Sequence, residues 1–91
     1  MQRDIVLRAI LEILRNEFHC ALDDSCLTSD QSISEICGLD SLEFVRFVCT
    51  VENHFGLKFG DDVGFETLDR FPSLADEIVA LASATASHEN V

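Results

Sequence analysis

Proline occurs once and glycine four times in the 91 residues, too few for a low-complexity or disordered chain. With 47% hydrophobic and 25% charged residues, the composition is that of a folded chain with a real core. Basic residues are also scarce. Six Lys and Arg stand against 17 Asp and Glu, a net charge of −11 that repels a phosphate backbone, and no local basic patch offsets it, so no nucleic-acid partner is expected. No apolar run approaches the ~18 residues of a membrane span. Asp4, Arg8 and Glu12 interrupt the N-terminus where a signal peptide would carry its apolar stretch. No membrane partner is expected, and the default location is cytoplasmic. Nor is there a C-x-x-C pair: Cys20, Cys26, Cys37 and Cys49 are spaced by 6, 11 and 12, which fits no standard zinc pattern. The four read as buried, unbridged small hydrophobes, with neither a metal site nor a disulfide expected.

What is present is helical patterning. From Arg3 to Phe18, Leu7, Ile10, Leu11, Leu14 and Phe18 recur at three and four, the apolar face of an amphipathic helix. The period is lost over residues 19–40, a long connection with five acids and no base, in which Ile33 and Ile36 are the expected anchors. Periodicity resumes over Ser41–Phe55. Asp40 is the predicted N-cap, Glu43 its capping-box partner and Gly56 the C-terminal glycine. On this helix Phe44, Phe47, Val48, Val51 and Phe55 read as core. Leu42, Val45 and Cys49 form a separate flank stripe, bordered by Arg46 and Glu52, that is either further core or an open binding surface. Phe65, Leu68 and Phe71 suggest one or two helical turns closed by Pro72. Ser73 with Asp76 opens a last helix, with Leu74, Ile78 and Leu81 on one face. The predicted architecture is all-α: a small four-helix bundle of three main helices and one short one, with residues 1–82 as the domain and 83–91 as a frayed tail.

Ser41 is the position that draws chemistry. It follows Asp40 in the first turn of a helix, where unpaired N–H groups and the dipole favour an attached phosphate; a serine there is otherwise only a cap. Its neighbours decide between the two. Gly38-Leu39-Asp40-Ser41-Leu42, at the junction of an acidic connection and an amphipathic helix, strongly resembles the attachment motif of the acyl carrier protein family, peptidyl carrier relatives included. Asp30-Gln31-Ser32-Ile33 and Ile36 resemble the family's loop upstream of the motif. Val45, Val48, Val51, Glu52 and Phe55-Gly56 are similar to its second helix, and Phe71 to Leu81 to its closing helix, so the likeness covers about residues 3–82.

The resemblance implies a non-catalytic carrier whose Ser41 bears a 4′-phosphopantetheine arm, attached by a separate Mg²⁺-dependent phosphopantetheinyl transferase and carrying cargo as a thioester. Asp40 matches the family's acid before the serine. Leu42, Val45, Arg46, Cys49 and Glu52 lie where the family meets its partners: the transferase, an acyl- or aminoacyl-loading ligase and downstream synthase enzymes. Arg46 stands where fatty-acid carriers usually show Glu, and Asn53 and His54 replace two more acids. The expectation is therefore a free-standing monomeric carrier of a specialised pathway, polyketide or nonribosomal peptide among them. An aminoacyl or peptidyl carrier is the near alternative, and an acidic interaction module without a prosthetic group the distant one. An enzyme is disfavoured: there is no G-x-S-x-G elbow, no strand pattern to build it on, and His19, His54 and His88 read as solvated polar positions.

Overall fold

The computed structural model describes residues 2–28 and 31–89, the side chains of residues 28 and 84–89 excepted. Its elements are α1 (Arg3–Glu17), a 3-10 turn (Asp24–Thr28), α2 (Ile33–Cys37), α3 (Ser41–Phe55), α4 (Phe65–Leu68) and α5 (Phe71–Glu89). No strand occurs among the described residues, and the expected all-α bundle is what forms.

Helix α1 buries Val6, Leu7, Ile10, Leu11, Ile13 and Leu14, an apolar stripe wider by Val6 and Ile13 than its three-and-four spacing suggests. It packs chiefly against α5 and also against α3, while α4 packs on α5. The shared core adds Phe44, Phe47 and Val51 from α3, Leu68 from α4, and Phe71, Leu74, Ala75 and Ile78 from α5. Ile33, fully buried, and Ile36, half-buried, anchor the connection as expected. Phe47 lies at the centre, its ring 5.9 Å from Phe18 and 6.1 Å from Phe44. Filling by three aromatic rings keeps this small core tightly packed.

Three expectations are corrected. The connection over 19–40 is not structureless: it holds the 3-10 turn and α2. Helix α2 is started by the Ser32 side chain, which accepts from Glu35 N, and stopped by Gly38 in the left-handed region at φ 66°. Five residues are too few to show a helical period, although both stop and start signals are written in the chain. The last helix begins at Phe71, not after Pro72. Pro72 lies in its first turn, where the missing N–H has no intrahelical acceptor to lose. Ser73 Oγ instead donates to Thr67 O at 2.6 Å, and Asp76 pairs with Arg3 at 2.7 Å.

The third correction concerns the cysteines. Cys20 and Cys37 form a disulfide with Cα atoms 5.6 Å apart, inside the range such a bridge requires. Spacing alone does not reveal that approach, which the turn after α1 creates: His19 adopts φ 53°, and Cys20 N then returns to Leu14 O at 3.0 Å. Cys26 is free and half-buried, and Cys49 free and exposed. The expected frayed tail falls on positions whose side chains from 84 onward, and whose backbone at 90 and 91, lie outside the described residues. Asp30 of the upstream motif also lies outside them.

Candidate functional site

The site is built where α2 hands over to α3. Gly38 caps α2 in the left-handed region, its N–H bonding Ser34 O, and Leu39 N donates to the same carbonyl at 2.8 Å. A glycine serves at this position because a side chain at φ 66° is strained even though open space surrounds it. Asp40 is extended and caps α3 as predicted. Its Oδ1 accepts from Glu43 N at 2.8 Å, and Glu43 Oε1 accepts from Asp40 N at 3.4 Å. The reciprocal pair satisfies two backbone donors at the helix start. Ser41 is thereby the first residue of a 15-residue helix. It is exposed, and its hydroxyl makes no hydrogen bond among the described residues. An unbonded hydroxyl beside the positive end of a helix dipole suits a phosphate ester.

From Ser41 a groove of ≈ 320 Å³ runs between α3 and α4, walled by Leu39, Phe44, Val45 and Phe65, with Ser34 and Asp69 on its polar side. The Phe44 and Phe65 rings are 5.8 Å apart. Phe65, one of the apolar positions of the α4 turn, is 67% exposed, and together with Leu42 at 73% and Val45 at 47% it leaves an apolar surface beside Ser41. The flank stripe is therefore exposed and not further core. Cys49 continues it as an exposed residue. The two bordering residues are engaged within the chain. The Arg46 guanidinium lies 5.7 Å from the centre of the Phe18 ring, and Glu52 Oε2 accepts from Phe59 N at 2.9 Å.

Asp69 was not singled out by its sequence context, yet it braces the approach to Ser41. Its Oδ1 accepts from Ser34 N at 2.8 Å and its Oδ2 from Ser34 Oγ at 2.9 Å. Ser32 Oγ also donates to Oδ2, and the Asp69 carbonyl accepts from Ile33 N at 2.6 Å. A carboxylate with this many donors ties the start of α2 to the end of α4. Elsewhere on the connection, the Ser25 hydroxyl and then the Ser25 backbone N–H hold the Asp23 carboxyl below its ordinary range. Among the described residues no three His, Cys, Asp or Glu side chains group as metal ligands, and no helix is long and apolar enough to cross a membrane.

An all-α bundle that presents an exposed hydroxyl at a capped helix start, beside an open apolar surface, has a layout that suits a carrier protein. The family model for the phosphopantetheine attachment site matches residues 8–78, and the chain belongs to that family, the acyl carrier proteins. Comparison with curated proteins and with solved structures gives no significant match. The family's prosthetic group is a covalent 4′-phosphopantetheine, and its carriers are generally non-catalytic domains served by a phosphopantetheinyl transferase and by synthase enzymes. The residues present fit that group. Ser41 has an accessible, unbonded hydroxyl, and neither Asp40 nor Glu43 blocks it, because their side chains are turned into the cap.

Proposed function

We propose that this chain is an acyl carrier protein in which Ser41 bears the arm, and that it serves a specialised pathway, of polyketide or nonribosomal-peptide type, as a free-standing monomer in the cytoplasm. The carrying observation is the exposed Ser41 hydroxyl, free of hydrogen bonds, at the start of a doubly capped helix within the matched residues. When bound, the arm supplies a terminal thiol on which acyl groups ride as thioesters.

The chain's own part is positioning. The Asp40–Glu43 box fixes the first turn of α3, so that Ser41 projects from rigid backbone. The N–H groups of that turn favour the negative charge of a phosphodiester. Leu42, Val45 and Phe65 offer apolar area to an approaching enzyme, and Cys49 extends it along α3. Arg46, folded onto Phe18, and Glu52, holding Phe59, shape the border of that face. The substitution of Arg46, Asn53 and His54 for acids common in fatty-acid carriers supports a dedicated pathway with its own partner enzymes.

The test is intact mass after incubation with coenzyme A, Mg²⁺ and a broad-specificity phosphopantetheinyl transferase, with Ser41→Ala alongside. Wild type is expected to gain one phosphopantetheinyl group and the variant none. The variant's melting curve should match the parent because Asp40, not Ser41, caps the helix. A wild type unchanged by several transferases sinks the reading.

A further inference from the structure

The disulfide lies on the segment that delivers Ser41, and the function above gives it no task. Cys37 is the last residue of α2, followed by Gly38, Leu39 and the Asp40 cap, while Cys20 lies just beyond α1, 17 positions upstream of its partner. The bridge therefore encloses the 3-10 turn and all but the last residue of α2. The two ends of α2 are held by different means. At its start, Asp69 binds Ser32, Ile33 and Ser34. At its end, Gly38 N and Leu39 N bond back to Ser34 O within the segment, and the attachments to the rest of the bundle are the disulfide and the half-buried side chains of Ile36 and Leu39. The Cys20 side is secured independently, by Cys20 N on Leu14 O and by Arg15 Nε on Leu22 O at 2.8 Å. Breaking the bridge thus removes the covalent tie at the end nearest Ser41, loosening it, and leaves the far side in place.

We propose that Cys20–Cys37 is a thiol-responsive clamp that sets how firmly the Gly38–Asp40 turn, and with it Ser41, is presented to partner enzymes; the functional half of this inference rests on the reading of Ser41 given above. Cys20 is 8% exposed and Cys37 half-buried, so Cys37 is the more accessible half of the bridge and the one on which exchange is written. A thiolate of a dithiol reductant bonds to Cys37 Sγ, the S–S bond breaks, and Cys20 leaves as a thiolate. The reductant's second thiolate then displaces Cys37 Sγ from the mixed disulfide. Two electrons pass to the protein, each cysteine sulfur takes a proton, and the reductant departs as its own disulfide. A small-molecule disulfide reverses the exchange. Freed from the clamp, the turn has more conformations to lose when an enzyme docks, which slows productive encounters.

Thiol titration of the denatured protein, purified without reductant, is expected to find two thiols, those of Cys26 and Cys49, and four after dithiothreitol. On reduction, amide exchange over residues 36–40 should quicken roughly tenfold or more, and phosphopantetheinylation should slow by about threefold or more. The Cys20→Ser/Cys37→Ser double variant should match reduced protein with or without dithiothreitol, and Cys26→Ser should keep the full response. If the double variant fails to fold, the wild-type comparison stands without it. Four thiols before reduction overturn the proposal, as does a two-thiol protein whose amide exchange ignores dithiothreitol or whose modification rate does. Exchange that quickens in a protein that accepts no arm supports the clamp and counts against the reading of Ser41.

Discussion

Asp69 and Ser34, 35 residues apart, are joined by two hydrogen bonds: the Asp69 carboxylate takes the Ser34 backbone N–H on one oxygen and the Ser34 hydroxyl on the other. This closure fixes the start of α2, the element that leads into the turn preceding Ser41. Replacing Asp69 with Ala leaves a half-buried N–H without its partner, a change that costs about 1–3 kcal/mol. Urea unfolding of Asp69→Ala should show that loss, with Asp69→Asn between it and the parent. An Asp69→Ala protein of unaltered stability contradicts the bracing role.

The open apolar strip gives a prediction that separates binding from folding. Leu42 is 73% exposed and makes little of the core, so Leu42→Asp should change stability by no more than about 0.5 kcal/mol. If partners dock on the strip, the same variant loses an apolar anchor, and kcat/KM for arm transfer should drop about tenfold, or roughly 1.4 kcal/mol. Parallel melting and transferase assays test this; equal loss in both places Leu42 in the fold and not in the interface.

Asp23 carries a pH prediction whose sign follows from its hydrogen bonds. Ser25 Oγ donates to its Oδ1, as does Ser25 N at 3.0 Å, and both favour the ionised form. Because the folded carboxyl titrates below its unfolded value, its contribution is complete above the unfolded pKa and disappears as pH falls through the folded one. The Asp23 side-chain carbon, followed by NMR, should have its midpoint below the ordinary range of an aspartate carboxyl. Ser25→Ala, which keeps the backbone N–H bond, should raise it toward the ordinary range, and an unmoved midpoint removes the hydroxyl as the cause.

The net charge of −11 predicts self-repulsion, concentrated in the connection before Ser41 and in the C-terminal third. Melting temperature should therefore rise with added NaCl and further with Mg²⁺ at equal ionic strength. A curve unchanged from low salt to millimolar Mg²⁺ refutes this.

How much of this was legible in the sequence depended on the range of the interactions involved. Helices α1 and α3 were plain because their signals are local: apolar residues at three and four, and for α3 the Asp40, Glu43 and Gly56 ends. Ser41 stood out for the same reason, with the pentapeptide around it. Helix α2 escaped because five residues cannot display a period, even between Ser32 and a left-handed Gly38. Pro72 suggested a break where it in fact occupies a first turn. The brace from Asp69 to Ser34 and the bridge from Cys20 to Cys37 were beyond reach, since each depends on a spatial approach that residue types alone do not encode. Phe65 shows the same limit: its apolar character was visible, but not that it faces outward beside the groove.

An exposed strip of Leu42, Val45 and Phe65 is sticky toward any apolar surface, its own copy included. On a chain this acidic, two copies approaching one another meet like charge before the strips can touch, whereas a basic enzyme surface is drawn in. Under the proposed function, adhesion becomes selective by sign: the patch is expected to be quiet among its own kind and receptive to an oppositely charged visitor. That selectivity fades as pH falls toward the isoelectric point near 4.3, where the repulsion between copies is lost and the strip is left to pair with itself.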